Sequence, residues 1–463
     1  SGWLSWSTDV DVARGQINGD TEEWTFYTGD GYPKAIRAGY LNSPIPMGLL
    51  PPTLALSLSL GPNPPDADSL TQETRVYTYT YVNKVGAREV ESSPAPATLS
   101  SDVYPSQTVT LTGFSAPSSG YAATHVRIYR STAGLYLFVA EITLAVAIGS
   151  GLIDDVDPEN LAEELPSLSW LAPPDNLAGL TNLPNGNMAG FAGRDVYFCE
   201  PYVPHAWPDA YRQTLDHPVV GLGRMDTTLA VLTKGTPYLI QGAHPDSVVV
   251  VKSDIEQACV SKRSIVSLNN LVFYCSPDGL VALTPGGSQM ITENMFTYEQ
   301  WQTQINPESV HAYHQDNKYV AFYDNGVTQG SFVFDLTSRE FTLSQVTATA
   351  GHQSLRNDKL YLHLSGAIRP WSEGANIPYI WRSKIFTMPR PLGMSCAQVE
   401  AETYPLTAKI YADGVLLHTQ VVQNRFPFRL PVATARDWEL EVTGTSEVFA
   451  AALAQSMEEL ANA

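Results

Sequence analysis

Cysteine is scarce: the 463 residues hold four, Cys199, Cys259, Cys275 and Cys396. None forms a CxxC pair, and no histidine stands beside them at metal-ligand spacing, which argues against the spaced-cysteine zinc sites. Cys199 and Cys275 end apolar runs, where a thiol behaves as a small hydrophobe. All four are expected to be reduced, as in a protein assembled in a cytoplasm. Positive charge is scarce too. Asp and Glu outnumber Lys and Arg by 47 to 27, a formal net charge of −20. Affinity for nucleic acid or an anionic membrane comes from Lys and Arg, so the balance argues against tight binding to either. No run approaches the roughly 18 apolar residues of a spanning helix, and no charged-then-apolar leader pattern is visible. GxSxG, HExxH and GxxxxGK[ST] are all missing.

What is present is a long series of short strands. Leu229 to Thr233 is apolar, Lys234-Gly235 turns, and Tyr238 to Ile240 runs back. Leu271 to Cys275 repeats the plan, with a turn at Ser276-Pro277-Asp278-Gly279 and a return over Leu280 to Leu283. Short β-branched and aromatic runs bounded by Gly, Pro, Asn and Asp are strands, and Asp-Gly closes hairpins where φ must be positive. A polar turn followed by an outgoing strand recurs at Gly193-Arg194-Asp195, Asp226-Thr227, Asn269-Asn270, Asp316-Asn317 and Arg356-Asn357-Asp358. That interval of roughly 33 to 47 residues brackets the blade period of a β-propeller. A plain run of hairpins in a sandwich is the alternative. The propeller is favoured because five repeats agree, and blades packed around an axis cover their faces and leave only short, protected edges.

The expected fold is all-β: a β-propeller with an inserted immunoglobulin/fibronectin-like sandwich and a small C-terminal β domain. Residues 1–70 hold N-terminal strands and, over Leu41 to Ser69, a proline-rich arm able to lie across a neighbouring subunit. Residues 71–157 form the sandwich. Arg75 to Val82 alternates strictly and reads as a strand with one buried face, and the lack of a Cys-Trp-Cys core favours the fibronectin variety. Residues 158–390 form the propeller region, entered through one or two helical turns over Glu159 to Leu165 between Pro158 and Pro166. Residues 391–463 form the C-terminal domain, with a hairpin at Asp413-Gly414 and a short helix or frayed end in SMEELANA.

No catalytic, cofactor-binding or metal-ligating residue stands out in the sequence, so the expectation is not an enzyme and no cofactor. Ser276 to Leu280 faintly resembles the Asp-box turn of sialidases, but it lacks the following aromatic and does not recur, which leaves a hairpin turn. His311 and His314 lie three apart in a strand, on opposite faces. His205 shares a loop with Trp207 and reads as packing. The acidic run Asp154, Asp155, Asp157, Glu159, Glu163 and Glu164 stands out; a solvated loop on the outside explains it better than a functional surface does.

Several segments in order are similar to one family: VDVARGQINGDTEEWTFYTGDGYPK, TYTYVNKVGAREVESSPAP, HVRIYRSTAGLYLFVAEI, FAGRDVYFCEPYVPHAWP, LAVLTKGTPYLIQGAHPDS, SKRSIVSLNNLVFYCSPDGLVAL, WRSKIFTMPRPL and RFPFRLPVATARDWELEVTGTSEV. Together they resemble the tail nozzle, or tail tubular protein B-like hub, of short-tailed bacteriophages, from about Asp9 to Leu460. The resemblance implies a propeller carrying an inserted immunoglobulin-like unit. It implies a virion tail protein assembled in the host cytoplasm as a homo-hexameric ring, below portal and adaptor proteins and beside tail fibres or spikes. Its channel would be closed before infection and pass double-stranded DNA on ejection, without sequence-specific binding. An acidic wall suits that task because it repels phosphate. A carbohydrate-active propeller enzyme and a non-enzymatic receptor-binding tail protein are the alternatives.

Overall fold

A computed structural model describes residues 3–354 and 356–461. The chain divides into two compact units, Ser1–Pro370 and Trp371–Ala463. The first unit contains an all-β propeller whose blades are antiparallel meanders. Blade one is Asp11–Arg14, Thr25–Thr28, Lys34–Ile36 and Ile45–Pro46. After a long insertion, blade two is Ala178–Asn182, Met188–Ala192, Asp195–Phe198 and Gln213–Thr214. Blades three, four and five cover 219–252, 266–290 and 311–344, each with four strands, and blade six covers 350–370 with three. The first strand of each blade packs beside the first strand of the next, from Asp11–Arg14 through to Ala350–Ser354, so these strands line the axis. Trp3 closes the circle, its ring meeting His352 and Tyr361 of blade six edge-on.

Packing between blades explains residues that the strand pattern leaves unexplained. Val219–Met225 carries Gly221 and Gly223. A Cβ on Gly223 would lie 2.6 Å from Val272 Cγ1, and one on Gly221 2.4 Å from Ile265 Cδ1. Glycine here lets blade three's inner strand approach blade four. The repeated polar turns supply positive φ at Asp226, Asn269, Asp316, Asn317 and Asp358, each joining the first and second strands of its blade. The Gly193 turn joins the second and third strands of blade two instead; the equivalent turn there is Asn185-Gly186, also at positive φ. In the Ser276–Gly279 turn it is not φ that demands glycine. A Cβ at Gly279 would meet Thr292 Oγ1 at 2.4 Å.

The insertion is the sandwich. Leu135–Thr143, His125–Thr132, Tyr77–Val85 and Arg88–Glu91 form one sheet; Leu152–Asp154, Val109–Thr112 and Ser57–Leu60 form a three-stranded sheet. Between them lies a core of Tyr77, Tyr79, Tyr81, Ile128, Val109 and Leu111.

Four expectations are corrected. First, the tyrosine strand is not half-exposed: residues 77–83 are buried on both faces. Its second face is polar but satisfied, with Thr78 Oγ1 donating to Ala95 O at 2.8 Å and Thr80 Oγ1 to Glu91 Oε1 at 2.8 Å. Second, the proline-rich arm belongs to its own chain. Ile45–Pro46 is the outer strand of blade one, Ser57–Leu60 pairs with Val109–Thr112, and Met47, Leu49 and Leu56 are buried. Third, only Pro158–Asn160 makes a helical turn, a 3₁₀ one; residues 162–165 run extended beside Leu135–Thr143. The helix lies instead at Leu144–Ser150, capped by Thr143. Fourth, the boundaries move: residues 11–46 are a blade rather than a separate N-terminal region, and the propeller ends at Pro370.

The second unit packs two sheets around Trp438, Ile410, Leu440, Val442 and Val399. One sheet runs in the order Tyr379–Arg382, Ala435–Gly444, Leu406–Ala412, Val415–Val422, and Phe386–Leu392 also pairs with Ala435–Gly444. The other is Phe428–Arg429, Cys396–Ala401 and Val448–Ala454. Asp413 and Gly414 both adopt positive φ, as the hairpin requires, and Met457–Ala461 is helical.

Candidate functional surfaces

The acidic run divides. Asp154 is fully buried and accepts from Tyr77 OH at 2.6 Å and from Arg130 Nη1 at 2.8 Å, with Arg75 Nη1 4.0 Å away. It is a structural anion inside the sandwich. Asp155, Asp157, Glu159, Glu163 and Glu164 stay exposed. They form no loose loop: Phe138 N donates to Glu163 O at 2.9 Å, Ala162 N to Phe138 O at 3.2 Å and Leu165 N to Tyr136 O at 2.8 Å. The run therefore covers the edge strand Leu135–Thr143 and presents carboxylates on a fixed ridge. Of the 47 acidic residues 37 lie in residues 1–370, against 20 of the 27 basic ones, so most of the negative charge belongs to the first unit.

A second cluster, unforeseen in the sequence, sits at the propeller axis. Lys262 and Arg263 form the 3₁₀ turn leading into blade four, and Asp9 and Asp11 lie at the start of blade one. Lys262 Nζ is 2.5 Å from Asp11 Oδ2 and 3.3 Å from Asp9 Oδ2, while Arg263 Nε is 3.0 Å from Asp9 Oδ1. Gly179 N of blade two also donates to Asp11 Oδ2, at 2.8 Å. With blades in sequence order around the axis, the first and fourth stand opposite. These ion pairs cross the centre. Burial raises the Asp11 carboxyl above the usual range, against the pull of Lys262 and the Gly179 amide.

The joint between sandwich and propeller is a third polar site. Arg88 places its guanidinium 5.0 Å from the Trp24 ring centre and 5.1 Å from that of Phe26, and Nη2 donates to Met47 O at 2.6 Å. Burial lowers it to about 9. His205, expected to be packing, sits here. Burial first, and Arg88 second, push its imidazole down to about 3. Neutral Nε2 then accepts from Glu91 N at 3.4 Å. The Glu91 carboxylate receives Tyr129 OH at 2.8 Å, Ser167 Oγ at 3.2 Å and Arg127 Nη1 at 2.8 Å. Charges inside HVRIYR, in a strand that must pack, were the sequence signal for this network.

The other candidates resolve into packing. His311 stacks on Phe322 at 5.3 Å with Nε2 2.9 Å from Ala348 O, and burial lowers both His311 and His314. Asp278 is exposed and accepts from Gln257, while Ser276 Oγ accepts from the Asp278 and Gly279 amides. Trp301 Nε1 seals the same turn by donating to Ser276 O at 3.0 Å. All four cysteines are free thiols and buried, and burial pushes Cys199 and Cys275 up to about 12. Among the described residues no group of three His, Cys, Asp or Glu is placed to hold a metal, and no helix is long and apolar enough to cross a membrane. A groove of about 320 Å³ lies beside Asn185, Asn187, Thr227 and His244, and one of about 440 Å³ beside Tyr404, Arg425, Phe426 and Phe449. Neither includes a pair of facing carboxylates.

No protein-family model and no curated protein matches the chain. Among solved structures, BBS1N in complex with ARL6DN is 11% identical, covering 78% of this chain and 89% of that one with a TM-score of 0.31. Hsv2 of Kluyvelomyces marxianus is 10% identical over 56% of this chain and 69% of that one, TM-score 0.28. The tricorn protease is 10% identical over 55% of this chain and 30% of that one, TM-score 0.26. The fold assignment rests on the strand order of the blades themselves.

Proposed function

We propose that the chain is a virion structural protein, a tail nozzle or hub that assembles as a homo-hexameric ring around the channel for DNA ejection. The observation that carries this reading is the order of modules. A sandwich is inserted into the propeller, between its first and second blades, as the resemblance to short-tailed phage nozzles implies, and a separate β unit follows the last blade. The excess of acid supports it, since a wall of carboxylates lets a duplex slide without sticking. The propeller's own axis is crossed by ion pairs, so the conduit is the space enclosed by the ring of copies.

Asp9 and Asp11, the acids nearest the axis, are already tied to Lys262 and Arg263. Glycoside hydrolysis needs two carboxylates facing across a cleft, so this arrangement favours the structural reading over the carbohydrate-active one. The test is the composition of particles. Peptides of this chain in purified virions, and antibody labelling at the tail, are expected. Absence from particles, or hydrolysis of a host polysaccharide by the isolated chain, contradicts the proposal.

A further inference from the structure

The C-terminal sheet has two open edges. One is Tyr379–Arg382, continued by Phe386–Leu392; the other is Val415–Val422. An exposed edge presents unpaired N–H and C=O groups, and proteins normally guard it with Lys, Pro, bulges or a cover. Val415–Val422 reads VLLHTQVV, with no charge and no proline. Its one irregularity is the bulge where Ile410 faces His418 and Tyr411 faces Leu416, which leaves 418–422 regular. On the opposite edge, Tyr379–Arg382 is equally free of proline, whereas Phe386–Leu392 contains Pro389 and Pro391. Strand addition is thus open at 379–382 and 418–422 and closed at 389–391.

Register makes these two stretches ends of the same rows. Ile380 pairs with Thr443, Thr443 with Thr407, and Thr407 with Val421. Cross-strand partners share a face of the sheet, so Ile380 and Val421 lie on one face at the same height, at opposite edges. They are 73% and 49% exposed. One row away, Trp381 leads through Val442 and Ala408 to Gln420. Strand direction fits as well. Every pairing in the sheet is antiparallel, and the order holds four strands, so the two edges run in opposite directions. A second copy set beside the first, unflipped, therefore continues the antiparallel alternation.

We infer that Tyr379–Arg382 of one copy adds to residues 418–422 of a second copy, head to tail, with Ile380 beside Val421. This deepens the ring reading and rests on it. The contact is heterologous, and such contacts close into rings when the rotation per copy allows. The C-terminal sheets then form one continuous wall.

The experiment measures the mass of the full chain in solution by light scattering, for wild type and for Ile380→Lys and Val421→Lys, each exposed and so free to fold; circular dichroism checks folding. Each variant alone is expected to drop to the mass of one chain. An equimolar mixture is expected to give the mass of two, because one live junction remains between a chain with a spoiled first edge and one with a spoiled second edge. Variants that still assemble like wild type overturn this contact and leave the ring reading standing. A variant that dimerises alone overturns the head-to-tail arrangement. A wild-type chain that stays single at every concentration overturns both.

Discussion

At the scale of single residues, several charged groups lie inside the fold and are held there by buried partners. Asp154 holds Arg130 and Tyr77 within the sandwich, both nearly inaccessible. Removing one partner of a buried pair strands the other, at a cost of about 3–5 kcal/mol. Asp154→Ala is therefore expected to lower the urea midpoint strongly, and Asp154→Asn, which keeps an acceptor, to lower it less; equal midpoints for wild type and Asp154→Ala contradict this. His205 supplies a pH dependence. Its folded imidazole titrates near 3 against 6.5 for the free group, because burial and Arg88 oppose the charged form. The folded chain thus binds fewer protons than the unfolded chain between those values. Stability contributed by the neutral ring is full above about pH 6.5 and falls as pH drops toward 3. At pH 5 the loss amounts to about 2 kcal/mol. His205→Gln, which cannot protonate, is expected to lose less stability between pH 7 and pH 5 than wild type; an identical loss in both proteins is the contrary result.

At the scale of elements, the turns decide the blades. Asp226, Asn269, Asp316 and Asp358 were legible in the sequence as the same punctuation, and they do occupy the same place in four blades. The Gly193 turn looked equivalent because a glycine and polar neighbours satisfy any hairpin, whichever pair of strands it joins. Blade one was hidden because the sandwich separates it from blade two, and local patterns carry no information about which distant strand is a neighbour. The extended backbone of 162–165 was misread for a related reason: bracketing prolines suit a helix start, but the open edge of Leu135–Thr143 offered hydrogen bonds that a short helix could not match. The axial ion pairs join residues some 250 positions apart, as Lys262 and Asp11 do, and no spacing rule reaches that far. The inner-strand glycines are testable. Gly223→Ala drives a Cβ to within 2.6 Å of Val272, where neither chain has a flexible end to move aside. Overpacking of this kind costs about 1–3 kcal/mol, so a lowered melting temperature is expected. Gly286→Ala, with open space around it, serves as the control. A melting temperature unchanged by Gly223→Ala would mean that blades three and four are not in close contact.

At the scale of the whole molecule, most of the negative charge lies in the propeller-and-sandwich unit, and the C-terminal unit carries open, apolar sheet edges. The first property suits a surface past which DNA moves; the second suits self-association. The acidic balance predicts that the chain fails to retard duplex DNA in a gel at low salt, where electrostatic attraction is strongest. A shifted band that salt abolishes would place a basic surface where none is expected. The most direct measurement is electron cryomicroscopy of the assembled protein, averaged without imposed symmetry. The account predicts six copies in a closed ring around an open lumen wide enough for a duplex. A single globule, a two-fold dimer without a channel, or a ring whose centre is filled would contradict it.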